Sequence, residues 1–328
     1  MKYIGRIFAI FLWLTIPPFG SAQKALPNPQ WRPGETLVYL IHVKTDRNIQ
    51  ARSALALPDT PTEASFDVHG LLQVDVLDSG GQPAAGGVRL RTRFHSLVSD
   101  MGGLQKHKKP DREGAERVPA EGKEVECTLQ PDGQISEIMG LNKLALEQQE
   151  AWREWATQFT AAFVATQAKR KRGEKWGGEE RETSPSPIDE LRWQKKSQYV
   201  RDEPCVSVQF DSLGNLQRGK SSENCAVILT HATLQQKSSP QDATPQDYKL
   251  RGLRTRGTAK GSNETILYIS RKTGVLVRAT QEAKQQMDVL IVATSGGSQV
   301  HYAVIASANN TVELVSGLPL DLKPIPEK

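Results

Sequence analysis

Apolar and polar residues alternate with a period of two along most of this chain, and no other feature restricts its fold as much. Successive side chains on a strand point to opposite faces, so this period marks a sheet with one dry and one wet side. Phe66, Val68, Leu72, Val74 and Val76 face one way; Asp67, His69, Gln73 and Asp75 face the other. After a Gly/Pro-rich turn over residues 79–87, Val88, Leu90, Thr92 and Phe94 alternate with Arg89, Arg91, Arg93 and His95. The two runs read as an antiparallel hairpin. Asp67 and Asp75 are then expected to meet the arginines across its polar face.

The longest run comes late. Val275, Val277, Ala279, Gln281, Ala283, Gln285, Met287, Val289 and Ile291 share one face. Leu276, Arg278, Thr280, Glu282, Lys284, Gln286 and Asp288 share the other. Such a run exceeds an ordinary strand, which predicts a bend or bulge within a large curved sheet. Pro131-Asp132-Gly133 and Lys272-Thr273-Gly274 read as hairpin turns, because glycine accepts positive φ. Residues 224–234 form a further strand, and residues 248–257 and 265–270 frame another hairpin. Residues 299–308 and 311–315 are expected to pair about a turn at Asn309-Asn310.

One segment breaks the pattern. Over residues 141–171, Leu144, Trp152, Trp155, Phe159 and Phe163 recur at helical spacing, with polar residues filling the rest. This stripe predicts one long helix packed on a sheet, with a partner or membrane surface as the alternative for so aromatic a face. The β pattern resumes after Gly173. Arg172-Gly173-Glu174 there repeats the Pro33-Gly34-Glu35 that precedes the first strand, a hint of duplication. The expected organisation is a first β half over residues 23–140, a linking helix over 141–172 and a second β half over 173–328. Residues 58–62, 102–122, 184–187 and 238–245 read as polar loops.

The first 22 residues are read as a signal peptide. Lys2 and Arg6 precede a short apolar run, Pro17-Pro18 ends it, and Gly20-Ser21-Ala22 offers small residues before a cut at Gln23. The run is too short to span a bilayer, so the mature chain is expected to be exported, without an integral membrane segment, to the periplasm or beyond. Removing Lys2 and Arg6 takes the formal net charge from +5 to +3, too little to point to nucleic acid. Of three cysteines, Cys127 alternates with Val125 and Leu129 and reads as a buried hydrophobe. Cys205 and Cys225 flank a turn-rich segment and are expected to pair, a bond worth about 3 kcal/mol by chain entropy.

The chemistry-bearing motifs do not single out an enzyme. The six histidines are scattered, and the chain has no HExxH, GxSxG, P-loop or GxGxxG pattern. No metal or cofactor is expected, and no catalytic residue stands out. The suggestive feature is polarity within an apolar stripe: Gln281 and Gln285 interrupt it, with the small residues Ala279 and Ala283 beside them. A buried amide needs a partner. Val277, Ala279, Gln281, Ala283, Gln285 and Met287 are therefore the candidate lining of a cavity for an apolar ligand or lipid. The alternative is a bulge that turns both glutamines to water.

Pro33-Gly34-Glu35, Gly173-Glu174-Lys175-Trp176 and the strand–Lys272-Thr273-Gly274–strand hairpin resemble secreted bacterial β-rich proteins built from two similar halves. The resemblance implies a β architecture and export, and no activity to carry over. The expected fold is mainly β with one long α-helix, its antiparallel curved sheets forming an open barrel or wrapped sandwich. The expected function is a non-enzymatic envelope or extracellular protein that binds an apolar ligand or lipid. The alternatives are an assembly factor acting through contacts with an envelope protein, and a hydrolase without a motif.

Overall fold

The computed structural model describes residues 25–53, 62–77, 87–103, 116–117, 123–182, 186–211, 215–297 and 299–316. The leader and its cut site lie outside these residues, as do most of the 79–87 turn and the 102–122 loop. In chain order the elements are β1 (Thr36–Ser53), β2 (Thr62–Val76), β3 (Val88–Gly103), β4 (Glu116–Arg117), β5 (Glu124–Leu129) and β6 (Ile135–Met139). A 3-10 turn (Leu141–Lys143) leads into helix α1 (Leu146–Gln167). Then come β7 (Lys175–Arg181), β8 (Leu191–Phe210), β9 (Leu216–Gln236), the short helix α2 (Gln246–Leu250), β10 (Leu253–Ser270), β11 (Leu276–Ala293) and β12 (Gln299–Ser316).

The strands form one sheet in the order β6-β5-β3-β2-β1-β12-β11-β10-β9-β8-β7, with β4 added beside β3. Neighbours are antiparallel except where Val315 and Ser316 of β12 run parallel to Val208 and Gln209 of β8. That short contact closes a ring through β8, β9, β10, β11 and β12, so the sheet is curved and partly closed rather than a full barrel. The ring needs a sharp bend in the β8–β9 pair. Pro204 faces Asn224 but Val206 faces Lys220, so Cys205 stands against a bulge. The Cys205–Cys225 disulfide sits at that bend, packed with Val277 and Tyr268.

Helix α1 lies on the other side of the same strands. Trp152, Trp155, Phe159 and Phe163 are buried there with Tyr39, Ile41, Val68, Leu72, Leu267, Ala279 and Val312. Trp155 stacks on Phe159 at 4.9 Å between ring centroids, and Trp152 Nε1 donates to Thr92 Oγ1 (2.8 Å). The helix is shorter than its apolar stripe. Gly140 is left-handed (φ 88°), residues 141–143 wind as a 3-10 turn, and Gln148 Oε1 accepts from the Ala145 N–H (3.1 Å) to start α1. At the far end Lys169 turns left-handed (φ 50°), so Lys169-Arg170-Lys171-Arg172 lies beyond the helix.

The two turns that look alike in sequence are alike in geometry. Glu35 N–H donates to Arg32 C=O (2.9 Å) and Glu174 N–H to Lys171 C=O (3.0 Å). Each glutamate carboxylate accepts from the backbone N–H three residues earlier. Gly34 (φ 80°) and Gly173 (φ 83°) each donate to the next strand, at Val76 and Tyr199.

Three expectations need correction. Residues 248–257 and 265–270 are not a hairpin: Tyr248 lies in α2 and β10 is one continuous strand. Its glycines mark close approaches instead of turns; a Cβ on Gly257 would stand 2.1 Å from the Asp288 carbonyl. Asn309-Asn310 is no turn either. Both sit within β12, opposite Glu282 and Gln281 of β11, Asn309 in water and Asn310 buried. Nor do Asp67 and Asp75 hold the arginines. Arg91 donates to Glu126 (2.9 and 3.0 Å), and Arg89 reaches the same carboxylate at 3.2 Å. These partners belong to β5, on the other side of β3. Asp67 pairs instead with His42 (2.8 Å), and Asp75 accepts from Thr36 and Gln73.

Candidate functional site

Continuous register on β11, β12, β1 and β2 defines rows across the face that α1 covers. Ala279, Val312 and Ile41 form one row, buried beneath the helix. Gln281, Asn310, Val43 and Val68 form the next. Next come Ala283, Ala308, Thr45 and Phe66, then Gln285, Ala306, Arg47 and Ala64. Side chains two apart share a face, so all these rows point to the helix side. The outer rows are half-buried, apart from an exposed Arg47, and consist largely of small residues. Farther along, Met287, Val289 and Ile291 join a second apolar cluster with Leu191, Leu234 and Ala259. A strip floored by alanines therefore lies between two bulky walls. Gly261 contributes to it: a Cβ there would press on the Trp193 ring at 3.2 Å.

A polar cluster marks the helix end of the strip. Gln158 Nε2 donates to Glu154 Oε1 (2.7 Å), both on α1 and one turn apart. Asn310 Nδ2 lies 2.7 Å from the Gln281 amide and also bonds Glu154. Turned so that its nitrogen faces Glu154, the Gln281 amide donates to both carboxyl oxygens (3.0 and 3.2 Å) and accepts from Asn263 Nδ2 (2.8 Å). Asn310 is 7% exposed, and with Gln281 so turned its amide presents its oxygen to the Gln281 nitrogen at 2.7 Å. Burial raises the Glu154 carboxyl above the usual range against these amide donors, with a smaller push from Glu150.

The six residues predicted to line a cavity divide as follows. Ala279 lies under the helix, Gln281 joins the polar cluster, and Ala283 and Gln285 floor the strip. Met287 packs into the far wall. Val277 leaves the row. The β10–β11 register slips between Tyr268 and Ile269, which turns Leu276 to the helix and Val277 to the disulfide. The bulge thus falls before both glutamines, which stay half-buried on the helix side. Sequence reading missed Glu154, Gln158, Asn263 and Asn310. The Glu154/Gln158 spacing was visible, but a carboxylate beside an aromatic stripe is ordinary on a helix.

Other chemistry-bearing groups lie apart from the strip. Cys127 is buried and its thiol is pushed up to about 12, by burial and then by Glu126, which makes it a poor nucleophile. No group of three or more His, Cys, Asp or Glu among the described residues is arranged to hold a metal. A cleft of about 350 Å³ opens near Arg181, Ser186, Ile188 and Pro245, on the loop side of the second cluster. No helix among the described residues is long and apolar enough to cross a membrane.

No family model matches the chain, and no curated protein matches it. Among solved structures, one of lipid–protein interactions in lipovitellin is similar at 11% identity and TM-score 0.38, over 91% of this chain and 26% of that one. The chain therefore spans about a quarter of the lipovitellin chain. An outer membrane channel from Pseudomonas putida F1 is similar at 8% identity and TM-score 0.24, over 87% of this chain and 97% of the channel. The Pseudomonas aeruginosa OpdQ structure is similar at 7% identity and TM-score 0.18, over 85% of this chain and 99% of that one.

Proposed function

We propose that this is an exported, non-enzymatic envelope or extracellular protein that binds an amphipathic ligand along the strip between α1 and the second apolar cluster. The observation that carries this reading is the strip itself: a floor of Ala283, Ala306 and Ala308 between bulky walls, with a polar cluster at one end. Small floor residues leave room for a chain to lie, and a few convergent polar groups orient one end of it. Export is supported by the Cys205–Cys225 disulfide, a bond that persists in oxidising compartments. The division into two β halves joined by α1 belongs to the same reading and rests on the matched turns at Gly34 and Gly173.

The assembly-factor alternative loses its main support, since the helix aromatics are buried rather than offered to a partner. Native mass spectrometry of protein purified from its exporting host tests the proposal. A reproducible added mass of one amphiphile is expected. A bare polypeptide mass, together with no uptake of added alkyl probes, overturns it.

A further inference from the structure

Leucines stand in water at two helix ends, and their neighbours differ. Leu146 at the start of α1 is 74% exposed and is followed by Glu147 and Glu150. Leu250 at the end of α2 is 80% exposed, the most of any large apolar residue among the described ones, and sits between Lys249 and Arg251. The tip that carries it is firmly built. Arg251 N–H donates to Tyr248 C=O and Gly252 N–H to Lys249 C=O (3.0 Å each), and Gly252 is left-handed (φ 69°). The Gly252 carbonyl accepts from the Thr294 N–H (2.8 Å) and Oγ1 (2.9 Å), which ties the tip to the β11–β12 turn. Leu250 is therefore held outward. The charge around it is unbalanced. Asp242 is engaged by Arg254 (3.2 Å) and Thr244 (2.7 Å). That leaves Asp247 against Lys249, Arg251 and Arg256, which are exposed and have no ion pair among the described residues. Tyr248 and Tyr302 lie behind the tip, half-buried and near each other. An exposed leucine ringed by cations, with tyrosines behind it, has the chemistry of a surface that meets lipid headgroups.

We propose that the α2–β10 tip docks on an anionic lipid bilayer. Leu250 enters the headgroup boundary, and Lys249, Arg251 and Arg256 lie against the lipid phosphates. Burial of the leucine and attraction of the cations favour the same pose and add to one another. The acid-flanked Leu146 would be repelled by the same surface. The inference stands on the tip and does not need the strip reading, but it orients the strip. β11 runs from Ala283 past Met287 and Ile291 to Ala293, which pairs with Leu253 beside the tip. A chain leaving the bilayer would therefore reach the strip from its far wall.

The test is co-sedimentation of the full mature protein with vesicles of phosphatidylcholine alone and of phosphatidylcholine with an equal part of phosphatidylglycerol. Binding to the anionic vesicles is expected to be about tenfold tighter or more, and to weaken as salt is added. Leu250→Ser should weaken it about tenfold, as the loss of one buried leucine side chain. Lys249→Gln combined with Arg251→Gln should weaken it about as much and flatten the salt dependence. Matched controls separate the tip from general attraction: Ile305→Ser, and Lys196→Gln combined with Lys284→Gln, all at exposed positions outside the tip. They should leave binding nearly unchanged. Each substitution changes an exposed side chain, which the fold tolerates, and circular dichroism checks it. No binding, equal binding to both vesicles, or a loss from the controls as large as from the tip variants overturns the inference. None of these outcomes touches the strip reading, which native mass spectrometry decides separately. A bare polypeptide mass with no uptake of alkyl probes, alongside tip-dependent vesicle binding, overturns the strip alone.

Discussion

The same strands carry two different surfaces on one face. Under α1, Ile41, Val68, Ala279 and Val312 are buried in a cluster with the helix's Trp152, Trp155, Phe159 and Phe163. One or two rows farther, Thr45, Ala283 and Ala308 are half-buried, with small side chains, outside that cluster. The pleat is unbroken between the two ends, so orientation is identical. The cover differs. Alternation tells which side a residue faces, and the element packed against it decides whether that side becomes core or binding surface.

The comparison is broken most severely by removing the cover. Trp155 is fully buried at the centre of the aromatic cluster. Trp155→Ala is expected to cost about 3–5 kcal/mol, read from urea unfolding at constant slope. A cost below about 0.5 kcal/mol would show that the helix does not hold this end of the sheet.

Cutting the Cys205–Cys225 bond attacks the opposite side of the strands, where the ring closes. Replacing both cysteines by alanine should cost about 2–4 kcal/mol. It should also increase hydrogen exchange at Val208 and Val315, whose parallel contact is the ring's short closure. Unchanged exchange there would mean the ring closes without the bend being pinned.

Glu154 stands at the boundary of the two surfaces and gives a pH test. Its carboxyl is raised in the folded protein, so the fold favours the protonated form. Its contribution is therefore present at low pH and is lost as pH rises from the ordinary glutamate range through the raised one. The difference in stability between Glu154→Gln and wild type should grow in the variant's favour over that window. A pH-independent difference would show that Glu154 is solvated.

The smallest effect belongs to the open end. Gln285→Leu should change stability by less than about 1 kcal/mol, because a half-buried amide on the strip has water within reach. Combined with Gln281→Leu it should abolish retention of an amphiphile. Retention unaffected by the pair would move the ligand off this strip.

Much of the architecture was legible from local pattern. The β2–β3 hairpin, the Asp132-Gly133 and Thr273-Gly274 turns, the aromatic helix, the disulfide and the buried Cys127 all follow from residues near one another in sequence. The errors came where sequence-distant strands supply the reason. Asn309-Asn310 resembles a turn until Gln281 and Glu282 are set beside it. Gly257 resembles a breaker until Asp288 crowds it. Arg91 has an obvious acid in Asp75 and a better one in Glu126, which arrives from β5.

The candidate site shows the same division. Period two by itself determined that Ala279, Gln281, Ala283 and Gln285 share a face, because the pleat is a property of the local backbone. Local chemistry also determined that one helix would carry the bulky aromatic surface. Only the tertiary structure decided that Val277 leaves that face, that Glu154 and Asn310 converge on Gln281, and that Ala283 lies outside the helix cluster that holds Ala279. Those outcomes depend on strand register, a bulge and where a helix lies on the sheet; Glu154 is more than 100 residues from both Gln281 and Asn310 in sequence.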